Sequence, residues 1–169
     1  MARVSLDLEN KGDLKTLNTP GWSFAPGLVP GEPNQGLKAE LLESPARLPD
    51  YDDSKWEKGF DIQKRLSKGF TFAWYRLAFT IPEEVKGQKV AGNRVWFETN
   101  VDNYGEIYID GKIDRNIGVI TGNNTPKRAL VEDSATPGNK HVIAVLVANA
   151  PLGEPVGSIF IRYATLAFE

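Results

Sequence analysis

Apolar and polar residues alternate at every second position along much of this chain. The alternation is clearest in residues 92–111, where apolar, aromatic and β-branched residues recur with period two on both sides of a short connection at residues 101–105. This period is typical of strands, and short polar residues with a glycine are typical of tight reversals. The stretch therefore predicts two paired strands, the second of which ends at the turn Asp110-Gly111.

The same criteria predict further strands. Alternating or continuously apolar segments lie at residues 4–8, 37–42, 70–81, 141–148 and 158–168, although residues 37–42 also fit one helical turn. Residues 70–81 are apolar on both faces, which predicts a central strand buried on both sides. No helical period is sustained over three turns. About eight strands separated by turns predict an all-β fold, a β-sandwich or jelly roll, formed by one domain at residues 1–169.

The segments between these strands are predicted to be turns and loops. Residues 10–13 form a turn, and residues 26–33, with three prolines, form an ordered surface loop. Residues 112–130 are rich in glycine and asparagine and form a long polar loop. In residues 49–56, a short helical turn is expected to begin at Asp52 or Asp53, because aspartate is a favoured helix cap.

Composition excludes several classes of function. The 169 residues carry 20 basic and 22 acidic side chains, a net charge of -2, so no overall field favours a nucleic acid or a membrane surface. Cysteine is absent, which excludes disulfides, thiolate metal sites and a cysteine nucleophile. A single histidine disfavours zinc sites and histidine-based catalytic triads.

The sequence gives no membrane or targeting signal. It has no run of 18 apolar residues, and the first fifteen residues carry charges where a signal peptide is apolar. Localisation stays open at this point. A cytoplasmic location is expected if the chain stands alone, and a secreted or periplasmic one if it belongs to a larger enzyme.

Six short motifs occur in a familiar order along residues 14–168: LNTPGWSF, DDSKW, WYRLAFTIP, VWFETNVDNYGEIYIDGK, TPGNKHVIAVLVAN and GSIFIRYATL. In this order they resemble the galactose-binding-like jelly-roll domain. The version they resemble most is the sugar-binding domain at the N-terminus of glycoside hydrolase family 2 enzymes and related carbohydrate-binding modules. The sequence departs from the family pattern at Asp110, where the family usually has asparagine, and in the turn residues Gly138-Asn139-Lys140.

The resemblance implies a domain that cleaves no bond itself. In that family the catalytic carboxylates lie on a separate barrel, related jelly rolls bind carbohydrate in loops at one end of the sandwich, and several hold a structural calcium ion. The chain is therefore expected to be a non-catalytic carbohydrate-binding module, alone or excised from a larger carbohydrate-active enzyme whose catalytic domain is its partner. A structural or protein-interaction sandwich that docks a partner domain is the alternative, and a small carboxylate-dependent enzyme is a second one.

Sugar recognition combines a flat aromatic ring with planar hydrogen-bonding groups. The candidate ligand-binding residues that fit this combination are Trp22, Arg115, Asn123, Asn124 and Arg128. Each also has a more ordinary interpretation. Trp22 is a candidate for core packing, as are the other tryptophans, and consecutive asparagines are often turn residues with left-handed backbone.

Closely spaced carboxylates allow two further interpretations. Asp50, Asp52 and Asp53 supply oxygens of the kind that a structural calcium ion binds, although capping of a turn explains them equally well. No other cofactor is expected.

Glu98, Glu106 and Asp110 lie on the two strands predicted to pair, where they could face one another as acid and base. The chain contains no nucleophile elbow, phosphate loop or metal motif, and His141 is expected at the surface or at a strand edge. Catalysis by this chain alone is the minority interpretation.

Overall fold

The computed structural model describes residues 2–32, 44–64, 66–67, 70–122, 124–149 and 157–169. These residues form two antiparallel sheets. The strands of the four-stranded sheet are, in spatial order, β1 (Val4–Asp7), β14 (Phe160–Phe168), β8 (Val95–Asp102) and β11 (Lys127–Glu132). Those of the six-stranded sheet are β10 (Val119–Thr121), β9 (Tyr104–Ile109), β12 (Lys140–Asn149), β5 (Thr71–Thr80), β2 (Ser23–Pro26) and β3 (Glu57–Lys58).

Two short strand pairs and two short helical segments complete the described part of the chain. β4 (Leu66–Ser67) pairs with β13 (Gly157–Ser158), and β6 (Glu84–Val85) pairs with β7 (Gln88–Lys89). A helix, α1, covers Lys11–Thr16, and a 3-10 turn covers Pro45–Arg47. The predicted all-β fold is confirmed, with fourteen strands in place of about eight. No helix in these ranges is long and apolar enough to cross a membrane.

The core lies between the two sheets, where alternate residues of the strands point inward. Alternate residues of β8, β12 and β14, such as Phe97, Val145 and Leu166, are fully buried and face the opposite sheet. β5 is buried on both faces, as its sequence predicted, because the 3-10 turn and the residues after it cover its outer face.

The predicted pairing of the two strands in residues 92–111, on either side of a turn at residues 101–105, is wrong. β8 lies between β14 and β11 in one sheet, whereas β9 lies between β10 and β12 in the other. The chain crosses from one sheet to the other at Asn103. Gly105 allows this close crossing, since a Cβ atom at this position would lie 2.5 Å from Cγ2 of Val101. The turn predicted at Asp110-Gly111 is confirmed, with positive φ values of 49° and 80°.

Three smaller predictions also need correction. Residues 10–13 begin a helix instead of a turn, because Oδ1 of Asn10 accepts hydrogen bonds from the amides of Gly12 and Asp13. Residues 112–130 contain β10 and the start of β11. Residues 49–56 form no helix; the helical turn lies earlier, at Pro45–Arg47. The strand predicted at residues 37–42 lies outside the described residues.

Candidate functional site

Two of the five candidate ligand-binding residues lie close together on the outer face of the four-stranded sheet. Arg128 is on β11 directly opposite Glu98 of β8, and Asn124 precedes β11 in a turn. Trp96, Glu98 and Asn100 alternate with the buried residues of β8, so they face away from the core. Tyr163 of β14 is the cross-strand partner of Asn100. The surface formed by Trp96, Glu98, Asn100, Asn124, Arg128 and Tyr163 is named the Trp96 face below.

Arg128 covers the indole ring of Trp96. Its guanidinium carbon lies 4.1 Å from the ring centroid, within the range of a cation–π contact. One guanidinium nitrogen, Nη1, donates to Oε1 of Glu169 at 3.0 Å. The Arg128 side chain is 50% exposed, so it lies over the ring without being enclosed by other groups. Trp96 itself is half-buried, which differs from the core position expected for it.

Two buried polar atoms of the Trp96 face have no hydrogen-bond partner in the described part of the structure. They are Nε1 of Trp96 and Oδ1 of Asn100. Asn100 is only 2% exposed, and its amide nitrogen Nδ2 donates to Oδ1 of Asn124 at 2.6 Å. Most buried polar groups in proteins are paired, so an unpaired donor and an unpaired acceptor on one face are unusual. Asn124 has φ of 58°, so the left-handed turn backbone considered for it is present.

A carboxylate lies in the middle of the Trp96 face. Glu98 accepts hydrogen bonds from Nη2 of Arg3 and, at 3.4 Å, from the hydroxyl of Thr165. Burial, together with the negative charge of Glu98, raises the pKa of Tyr163 above its ordinary value. The face therefore presents two aromatic rings, a carboxylate, two side-chain amides and an arginine, and Arg3 binds the carboxylate.

Arg115 lies elsewhere, on the outer face of the six-stranded sheet. Its Nη1 lies 3.3 Å from Oε1 of Glu106. The Glu106 carboxylate also accepts hydrogen bonds from two tyrosine hydroxyls, that of Tyr104 at Oε1 and that of Tyr108 at Oε2. Burial alone would raise the pKa of Glu106, but these three hydrogen bonds lower it below its ordinary value. Burial and the bond to Glu106 raise the pKa of Tyr104 to about 12. Arg115 therefore belongs to a different cluster from Asn124 and Arg128.

Of the remaining two candidates, Trp22 does not belong to the Trp96 face. Trp22 is 5% exposed; its Nε1 donates to the carbonyl of Leu8 at 3.1 Å, and its ring packs 6.1 Å from that of Phe97. It therefore lies in the core, the alternative considered for it, and offers no ring face for stacking. Asn123 lies outside the described residues.

Two of the three aspartates considered as calcium ligands have protein partners. Oδ2 of Asp53 lies 3.2 Å from Nε of Arg76, and Oδ1 of Asp52 accepts from the amide of Ser54 at 3.0 Å. Among the described residues, no group of three or more histidine, aspartate or glutamate side chains could hold a metal ion. Asp52 and Asp53 therefore each have a protein partner in the described structure.

The carboxylates considered for catalysis do not face one another across a hairpin. Glu98 lies on the four-stranded sheet, whereas Glu106 and Asp110 belong to the six-stranded sheet, because β8 and β9 do not pair. The Glu106 carboxylate already accepts hydrogen bonds from two tyrosine hydroxyls and pairs with an arginine. The expected placement of Glu98 opposite Glu106 or Asp110 on two paired strands is therefore not found among the described residues.

Sequence reasoning missed the surroundings of His141. Its ring is half-buried between the two sheets, with Nδ1 2.7 Å from Oδ2 of Asp110 and Nε2 3.1 Å from Oε2 of Glu132. The hydrogen bond with Asp110 is the main cause that raises the pKa of His141, against the opposing effect of burial. A signal was present in the sequence. Asp110 is the position at which the chain departs from the asparagine of the family it resembles.

The solved structures that are similar to this chain include glycoside hydrolases. A β-glucuronidase from Bacteroides uniformis superposes with a TM-score of 0.63 and 20% sequence identity, over 99% of this chain and 18% of its own. A β-glucuronidase from glycoside hydrolase family 2 gives 0.59 and 17%, over 98% and 18%. The Faecalibacterium prausnitzii β-glucuronidase gives 0.56 and 16%, over 99% and 31%.

The chain has the fold of one part of a family 2 glycoside hydrolase. The fold implied by the sequence resemblance is thus confirmed, and the chain spans only about a fifth to a third of the length of these enzymes. No protein-family model matches the chain, and no curated protein matches it significantly.

Proposed function

We propose that this chain is a non-catalytic domain of a larger glycoside hydrolase and that it binds carbohydrate through the Trp96 face. The observation that carries the proposal is the pair of unpartnered buried polar atoms, Nε1 of Trp96 and Oδ1 of Asn100, beside an aromatic ring. A sugar hydroxyl both donates and accepts, so it can pair with either atom. The C–H face of a pyranose matches the flat indole.

Binding requires the side chains that cover these atoms to move. Arg128 is half exposed; its surface ion pair contributes about 0–1 kcal/mol and its cation–π contact with Trp96 about 0.5–1 kcal/mol, so its displacement from the ring costs at most about 2 kcal/mol. Once displaced, its guanidinium can donate to two adjacent hydroxyls or to a sugar carboxylate. Asn124 is exposed and in a turn, so it can release Asn100.

The affinity is expected to be modest. Sugar hydroxyls lose nearly as much on leaving water as they regain in the site, and dissociation constants of about 0.1–1 mM are the expected range. Three of the solved structures that are similar to this chain are β-glucuronidases, so glucuronic acid and glucuronides are the first sugars to test. A calcium ion at Asp50, Asp52 and Asp53 remains part of the proposal, and calcium is therefore varied in the test.

A glycan-binding screen tests the proposal. It uses the wild type, Trp96→Leu, Arg128→Ala and, as a control, Arg94→Ala, whose exposed side chain pairs with Asp133, a residue outside the Trp96 face. Each variant is checked for folding by thermal unfolding, and the screen is run with and without calcium. We expect Trp96→Leu to abolish binding, Arg128→Ala to weaken it about tenfold, and Arg94→Ala to leave it unchanged. Binding that survives Trp96→Leu, or no binding to any glycan, would contradict the proposal.

Docking of a partner domain is the second candidate function, and a specific surface favours it. Ile113, Ile117, Leu130 and Val131 line a groove of about 380 Å³ beside the edge strand β11. Ile117 is 38% exposed and Leu130 is 37% exposed, and exposed apolar groups that cluster in this way are common at protein interfaces. A negative glycan screen would make this groove the first surface to study.

A further inference from the structure

We propose a second binding site, for an organic amine, in the cleft beside α1. The cleft has a volume of about 370 Å³ and lies between α1, the turn at residues 20–22 and the loop at residues 59–62. This volume is within the range of small-molecule sites in proteins. The cleft shares no residue with the Trp96 face, so the proposal is independent of carbohydrate binding there.

The apolar part of the cleft is preformed. Leu14, Trp22, Phe60 and Ile62 line it. The ring of Phe60 is half-buried and is held edge-on by Phe24, with 5.6 Å between ring centroids. Because these side chains are fixed by the core, an apolar ring or short chain can enter without a large loss of side-chain freedom.

Two carboxylates lie at the rim of this apolar surface. The carboxylate of Glu9 accepts a hydrogen bond from the side-chain Nε2 of Gln63 at 2.8 Å. Oδ1 of Asp61 accepts one from the backbone N–H of the same glutamine at 2.9 Å. Burial, and then the negative charges of Asp7 and Asp61, raise the pKa of Glu9, although the Gln63 bond opposes this change. A ligand cation near Glu9 would therefore relieve an existing repulsion.

The cations already present leave Glu9 unpaired. Lys64 pairs with Asp61 instead, with 3.3 Å between Nζ and Oδ2, and its side chain is 82% exposed. Lys11 also lines the cleft. Within the described ranges, no ion pair involves Glu9. A positive group beside Glu9 and over the Phe60 ring would gain an ion pair and a cation–π contact together.

An amine is the ligand class that fits this combination. An anion would be repelled by two carboxylates. A neutral ring would pack on the apolar wall but leave Glu9 without an ion-pair partner. A compact ring with an ammonium group satisfies both parts of the cleft. Benzylamine and its neutral isostere benzyl alcohol form a matched pair of probes, since they differ only in the charged group.

NMR titration at neutral pH tests the proposal, with the indole N–H of Trp22 as the reporter. We expect benzylamine to bind about fivefold more tightly than benzyl alcohol. Glu9→Gln keeps the side-chain shape and should remove this difference. Glu84→Gln, which changes an exposed glutamate on β6, should preserve the difference while altering the net charge equally.

The wild type provides a second test without any substitution. High salt should weaken the binding of benzylamine and leave that of benzyl alcohol unchanged, because only the former includes an ionic contact. Equal affinity for the two probes, no response of Trp22 to either, or an amine preference that persists in Glu9→Gln would overturn the proposal. None of these outcomes bears on the Trp96 face.

Discussion

At the scale of single residues, His141 lies between two carboxylates. Each of its ring nitrogens faces a carboxylate oxygen, Nδ1 that of Asp110 and Nε2 that of Glu132. Only the protonated imidazolium can donate from both nitrogens at once. The two carboxylates belong to different sheets, so the protonated ring joins the sheets at one end of the sandwich.

Protonation of His141 is expected to stabilise the fold. Its folded-state pKa lies above the ordinary value of 6.5, so the stabilisation is complete below that value and is lost as pH rises through the folded-state pKa. Lys112 adds a positive charge near Asp110. The pKa values of Asp110 and Glu132 are lowered, so both stay ionised throughout this window.

Urea unfolding at about pH 6 and about pH 8.5 measures this effect. The wild type should lose free energy of unfolding as pH rises, and His141→Gln should lose much less. An equal pH dependence in the two proteins would show that His141 does not join the sheets in this way.

At the scale of elements, Arg76 explains why two distant motifs occur together. It is 3% exposed on β5 and donates to the carbonyls of Ala46 and Leu48, while its Nε pairs with Asp53. Its guanidinium also lies 5.9 Å from the ring centroid of Trp56. Arg76 of the WYR motif thus anchors the DDSKW motif on the outer face of the six-stranded sheet.

Arg76→Ala should destabilise the fold strongly. It removes a buried cation, leaves several carbonyls unpaired and frees Asp53, so a loss of about 3–5 kcal/mol in the free energy of unfolding is expected. Arg94→Ala is the matched control, since both side chains of its ion pair with Asp133 are exposed, and it should cost less than about 1 kcal/mol. Similar losses in the two variants, measured by urea unfolding, would refute the anchoring role.

Strands were predictable from the sequence, but their pairing was not. Alternating or continuously apolar segments located β5, β8, β9, β12 and β14, because the apolar pattern of a strand is a local property of its sequence. Pairing depends on the whole fold. β8 and β9 are neighbours in sequence, yet both edges of each are occupied by other strands. The short strands β10 and β11 were hidden among glycine and asparagine residues, where propensity is weak.

At the scale of the whole molecule, the resemblance predicted the sandwich fold. The candidate site could be located only from the register of the paired strands. Asn124 and Arg128 were identified as candidates by residue type alone. That Arg128 covers Trp96 depends on the pairing of β11 with β8, which no local pattern shows. Trp96 was expected in the core because it lies at a strand position. Only the sheet order reveals that the face of β8 that carries Trp96 points outward.

The indole N–H resonances give the most direct test of carbohydrate binding. Nε1 of Trp22 donates to Leu8 and that of Trp74 to Leu28, whereas that of Trp96 has no partner among the described residues. In a ¹⁵N-labelled sample titrated with the glycan that binds best, the Trp96 resonance should shift while those of Trp22 and Trp74 stay in place. A Trp96 resonance that remains unchanged at saturating glycan would contradict binding at the Trp96 face.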